Sequence, residues 1–289
     1  MKKKAIRLTT IICLLVALGI VSGFFQNNVP DQAAEMVRQQ YAQDLLTFQR
    51  SVSGLHTMVH KQTYTQTDLQ ASLNECRENF KRCEYLLTYF SNPAVNRYIN
   101  GAPLPKVDPQ SGTIVHISKP KGLQRLDEIV HSEEWSDQGQ LLDLCKQLLS
   151  STKELIAYEN GRKKIDHRQI FEAIRLELVR IFTLGITGFD TPGSANGLQE
   201  SVHAIEGLEK GITPYLAGVS PKLKREITVL FAEAKAQLRN GEFDTFDRMH
   251  FLKTAVNPLY ERVLKTQYAL TIEFVDEVLP YQQSTSGSR

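Results

Sequence analysis

Cysteine is scarce in this sequence, with four in 289 residues, and no two of them form a CxxC pair or a CxxCH site. That absence excludes a ribbon-type zinc site and covalent attachment of a c-type haem. No excess of one charge exists: 34 Lys and Arg stand against 32 Asp and Glu, a net charge of +2. With no basic stripe interleaved with aromatics, a nucleic-acid partner is not expected. The mean hydropathy of −0.27 excludes a polytopic membrane protein. Apolar residues make up 42% and charged residues 23%, which excludes a disordered or collagen-like chain. No strand-like alternation of useful length occurs either.

The single long apolar run lies at the N-terminus. Lys2, Lys3, Lys4 and Arg7 precede residues 11–21, which are apolar apart from Gly19, and Val21-Ser22-Gly23 supplies small residues for cleavage. This is the layout of a secretory signal peptide over residues 1–25. The alternative is an uncleaved anchor over residues 8–25, at the short end of the ~20 residues that a bilayer requires. In both cases the body is expected to be exported, periplasmic, and in contact with a membrane only through this segment.

The rest of the chain reads as helices. Tyr41, Leu45, Phe48, Val52, Leu55 and Val59 form one apolar stripe, and Leu69, Leu73, Cys76, Phe80, Cys83, Leu87 and Phe90 form a second. Such 4-3-4 spacing buries one side of each helix. Thr67-Asp68 is the expected cap of the second helix, with Pro93 just past its end. Residues 92–121 are broken by Pro93, Gly101, Pro103, Pro105, Pro109, Gly112 and Pro120, and read as an extended connection. Helical pattern returns over residues 122–131 and 141–155. It continues after the cap Asp166, over residues 198–208, after Pro221, and over residues 252–270. The expected fold is all-α: one multi-helix bundle over residues 30–275, with about six to eight helices. A polar tail is expected over residues 276–289.

Cys76 and Cys83 are seven residues apart on one stripe, about 10.5 Å along a helix axis. A disulfide requires Cα atoms within roughly 7 Å, so these two do not bond to each other. Cys145 can pair with either across the bundle, or all three can be buried small side chains.

Candidate chemistry is sparse, and no catalytic residue is assigned. His56 and His60 share a helix face, but Thr57 stands where a metalloprotease motif has Glu. His203 and Glu206 also share a helix face at i, i+3 and are the candidate ligands for a divalent metal, with Glu200 or Glu209 as helpers. The bland alternative is a surface ion pair. The loop over residues 187–194 is rich in Gly, Thr and Pro. Its Phe189 must fold back or enter a partner, since burying such a ring is worth roughly 1.5–3 kcal/mol. Phe189 and Asp190 are therefore the candidate partner-binding residues.

Ser201-Val202-His203-Ala204-Ile205-Glu206-Gly207 resembles the His-x-x-Glu signature of imelysin-like periplasmic proteins, with Ser201 in place of their usual Gly. That resemblance implies a helical metal-binding protein. A broader resemblance runs along the chain: Cys76-Arg77 with Phe80-Lys81 and Glu84-Tyr85-Leu86; residues 100–105; residues 120–124; residues 184–193; and Phe246-Asp247-Arg248 with Asn257-Pro258-Leu259-Tyr260. In that order these segments are similar to the helical module preceding the peroxidase in Bacteroidetes-type di-haem cytochrome c peroxidases. The resemblance implies an exported module that works with such an enzyme as partner. The haem-bearing half has no counterpart here, so no haem cofactor and no independent catalysis are expected.

Overall fold

The computed structural model describes residues 2–108 and 116–274, with side chains from Pro30 onward except over residues 106–118. The apolar side chains of the signal or anchor over residues 1–25 and the tail over 276–289 lie outside the described residues. Among the described residues, no helix is long and apolar enough to cross a membrane.

The fold is all-α, as the spacing predicts. Helix α1 (Lys2–Lys61) and helix α2 (Gln66–Ala94) are joined by a four-residue turn and pack against each other. The stripe from Tyr41 to Val59 is buried, and Val37, Ala34 and Ala33 extend it. Thr65, two residues ahead of the expected cap, begins α2. Its hydroxyl accepts from the Asp68 amide while the Asp68 carboxylate accepts from the Thr65 amide at 2.9 Å. This reciprocal box satisfies two amides that the first turn cannot pair internally. Near the other end Pro93 lies inside the helix, not beyond it, and Ser91 leaves helical geometry at φ −133°, ψ 35°. Proline lacks the N–H that the ladder needs, so the break falls just ahead of it. The chain continues as a π-turn, Val95–Ile99.

The connection over 92–121 differs from the expectation in one respect. It contains two short antiparallel strands, β1 (Lys106–Asp108) and β2 (His116–Ser118). Three-residue strands are too short to leave a readable period. Helix α3 (Leu123–Val130) and helix α4 (Gln138–Asn160) follow, and α4 packs on α1. Asp166 caps α5 (His167–Arg180), which runs into a π-turn, Ile181–Gly185. Helix α6 (Gly197–Ile212) packs against α2 and α7 (Pro221–Arg239), and Pro221 occupies the first turn of α7. The last rod joins α8 (Arg248–Phe251), a π-turn (Leu252–Val256) and α9 (Asn257–Ala269).

Helix α2 lies at the centre, touching α1, α3, α5 and α6. Phe80 meets Phe48 of α1 with ring centroids 5.5 Å apart. Cys76, Cys83 and Cys145 are free and buried. Burial pushes the Cys76 and Cys145 thiols up to about 12, which leaves them unreactive near neutral pH.

Candidate functional site

Beside its apolar stripe, α2 carries a second buried row: Arg77, Lys81, Glu84 and Thr88, at the same 4-3-4 spacing. These residues face α5, α6 and the loop after the second π-turn. Arg77 donates from Nε to Glu200 Oε1 at 2.5 Å and from Nη2 to Glu200 Oε2 at 3.0 Å, a two-pronged pair between α2 and α6. Its Nη2 also donates to the Asp190 carbonyl oxygen. Lys81 Nζ bridges Asp190 Oδ2 at 2.7 Å and Glu84 Oε2 at 2.8 Å. Gln124 of α3 donates to the other Asp190 oxygen at 3.1 Å.

The loop over residues 186–196 is fixed at both ends of its turn. Asp127 Oδ2 accepts from the amides of Gly193 at 2.8 Å and Ser194 at 3.1 Å. A Cβ at Gly193 would collide with the Asp127 carbonyl oxygen, so glycine is required for this approach. Gly188 has φ +81° and packs against the Phe243 ring. Between these anchors Phe189 stands 73% exposed.

Asp190 therefore requires a correction. It is 3% exposed and holds the loop to α2 and α3, so it is not part of a contact surface. Phe189 alone of the two reaches solvent. The reason is charge: a buried lysine requires a counter-ion, and the Asp190 carboxylate supplies it.

Burial alone would raise the Asp190 carboxyl, but Lys81 and then Arg77 outweigh it and hold the group below the usual aspartate range. Glu200 shifts upward because its burial is only partly offset by Arg77. Glu177 of α5 is pushed well above the usual range by burial and then by Glu84, with Arg180 and Lys81 compensating incompletely. Its nearest cation is Arg180, at 3.4 Å and partly solvated. Burial thus opposes ionisation of Glu177, and the cations near it offset that only in part.

The predicted metal pair is brought together, but around a histidine ring and not around a void. His203 Nδ1 lies 3.0 Å from Glu206 Oε2 and 2.8 Å from Arg82 Nη2, while Nε2 lies 3.4 Å from Glu78. The two carboxylates thus sit at opposite ring nitrogens and do not converge on one point. Arg239 donates to Glu206 Oε1 at 3.0 Å and Arg82 Nε to Oε2 at 3.3 Å. Burial tends to raise Glu206, but the bond to His203 and the nearby Arg82 leave it lowered. The helpers are engaged elsewhere: Glu200 with Arg77, and Glu209 with Lys235. His56 and His60 stack with centroids 6.2 Å apart. Among the described residues, no group of three His, Cys, Asp or Glu side chains is placed to hold a metal.

Sequence reasoning missed the buried row on α2. Its signal was the spacing: polar side chains at 77, 81, 84 and 88 repeat in step with the apolar row beside them. A solvated face of that kind normally carries no constraint, so the repeat was readable as surface.

Compared with known proteins, the chain matches no family model and no curated sequence.

Proposed function

We propose that this chain is an exported, non-catalytic helical module that docks on a di-haem cytochrome c peroxidase through the loop carrying Phe189. One observation carries this reading: a large aromatic ring, 73% exposed, stands at the tip of a loop that buried ion pairs and Asp127 hold rigid. A ring held in place loses little conformational freedom on binding, so its burial in a partner appears as affinity. Aromatic anchors of this kind dominate many interfaces. The choice of partner is supported by the ordered sequence similarities, of which residues 184–193 are the most specific. The lack of a CxxCH site leaves redox chemistry to that partner.

The test is Phe189→Ala, measured by calorimetry against a di-haem peroxidase encoded in a neighbouring reading frame. Binding is expected to weaken by about tenfold or more, the scale of a hot-spot truncation. Stability of the isolated protein should change by no more than about 0.5 kcal/mol, since the ring is solvated. Unchanged affinity would remove the loop as the interface.

A further inference from the structure

Past the end of α9 the chain turns back onto the bundle. Thr271 takes a positive φ of 55°, and Ile272 behind it is buried. The Glu273 carbonyl oxygen accepts from Gln267 at 3.0 Å, and the Glu273 carboxylate lies 3.7 Å from Arg168, near the start of α5. One residue on, the Phe274 ring stands 4.8 Å from the Tyr268 ring and 5.7 Å from the Arg175 guanidinium. Arg168 and Arg175 are seven residues apart on α5, about 10 Å along its axis. At Phe274, the last described residue, the chain is therefore running along α5 towards the C-terminal end of that helix.

Ahead of it lies an apolar strip. Leu176 and Val179, one turn apart, are 55% and 48% exposed. Thr183 follows one turn later, and its hydroxyl is turned to the helix's own backbone, donating to the Val179 carbonyl oxygen at 2.9 Å. Measured from Arg175, the strip ends about 12 Å along the axis. An extended chain covers that distance in about four residues.

The sequence beyond Phe274 fits this strip in order and in charge. Val278, Leu279, Pro280 and Tyr281 come four to seven residues on, and no apolar side chain follows between Gln282 and Arg289. The charged residues between are both acidic, Asp276 and Glu277. Arg175 is buried and donates to the neutral amide oxygen of Gln267, and among the described residues no carboxylate pairs with it. A carboxylate arriving just after Phe274 would supply a counter-ion to this guanidinium. The segment is also tethered at the edge of the strip, so it meets the strip at a high effective concentration that a second chain lacks.

We propose that residues 275–281 bind back along α5, with Val278, Leu279 and Tyr281 covering Leu176 and Val179 and with Asp276 or Glu277 set against Arg175. The contact is distinct from the Phe189 loop tip and does not depend on the docking reading.

Amide hydrogen exchange on the full chain, read over residues 275–281, tests this contact. The Val278 and Leu279 amides are expected to exchange at least about tenfold more slowly than in a free peptide of residues 275–289. Val179→Ser and Leu176→Ser lie on the exposed face, where substitutions leave folding nearly unchanged, and each should bring exchange close to the peptide rate. Position is read from a full chain carrying Val179→Cys and Leu279→Cys, oxidised with diamide at micromolar protein. A disulfide requires Cα atoms within roughly 7 Å, so an intrachain bond reports the contact directly. It should form at least about tenfold faster than in a control that pairs Leu279→Cys with Tyr158→Cys, an exposed position on α4. Exchange at the peptide rate in the wild type, equal cross-linking in the control, or a disulfide joining two chains, which would give the strip to a second copy, would each overturn the proposal.

Discussion

Along one face of α2, Leu69, Leu73, Cys76, Phe80, Cys83 and Leu87 are buried; along the adjacent face, Arg77, Lys81, Glu84 and Thr88 are buried almost as completely. The first face meets α1, where Phe48 packs on Phe80, and Cys76 on it lies near Cys145. The second meets α5, α6 and the loop, where Arg77, Lys81 and Glu84 make directional, charged contacts. The two faces tolerate damage differently. Apolar packing loses stability in proportion to the atoms removed and the cavity left. A buried ion pair fails when one partner goes, because the other is left charged without water.

The largest effect should therefore come from breaking one pair. Arg77→Met leaves Glu200 uncompensated and is expected to cost about 3–5 kcal/mol in urea unfolding. The double variant Arg77→Met, Glu200→Leu should recover most of that loss, because apolar groups of similar volume can replace a buried pair. On the apolar face, Leu73→Ala is expected to cost about 2–5 kcal/mol, with no second substitution at a neighbouring charge able to restore it. A double variant no more stable than Arg77→Met would mean that the two faces do not differ in this way.

Why one face was legible and the other was not follows from these terms. Burial of apolar side chains forces a helical period into the sequence, so the stripes in α1 and α2 and the caps at Asp166 and Pro221 could be read directly. The cap of α2 was misread because Thr65 and Thr67 both stand close to Asp68, and only the backbone decides which one turns out of the helix. The orientation of Asp190 was not legible at all. A turn aspartate ordinarily faces water, and its inward orientation depends on Lys81, 109 residues away in the sequence. Phe189 was legible as a problem for the fold, but its exposure depends on how Asp127 and Gly193 set the turn.

A smaller effect separates the carboxyls within the charged face by pH. Burial raises the Glu177 carboxyl in the folded chain, so the folded chain holds this proton to higher pH than the unfolded chain does. Its contribution to stability is complete at low pH and declines as pH rises towards its folded pKa, by up to about 1.4 kcal/mol per pH unit. Glu200, also raised, acts in the same direction. Asp190 is lowered, so its contribution is present above the ordinary aspartate range and is lost as pH falls through its folded pKa. Glu177→Gln should therefore flatten the decline above the ordinary carboxylate range and be more stable than wild type at its upper end. An unchanged slope in urea midpoints across that range would show that Glu177 ionises normally.

The smallest effect should come from the charges that α2 directs outward. Arg82 follows Lys81 by one residue but points to the solvated cluster of His203, Glu206 and Arg239. Their side chains are 19–53% exposed, so water already screens them and no partner is left stranded when one is removed. In His203→Ala, Arg82 and Arg239 still neutralise Glu206, and the expected loss is no more than about 1 kcal/mol in a thermal melt. The same variant tests the metal alternative. With Glu78 and Glu206 at opposite nitrogens of the His203 ring, a divalent ion would have to break both contacts and displace two arginines. Zinc or manganese retained after dialysis should then be the same in wild type and His203→Ala. A stoichiometric ion in the wild type that His203→Ala abolishes would mean that the cluster rearranges around metal, and would favour the imelysin-like reading over docking.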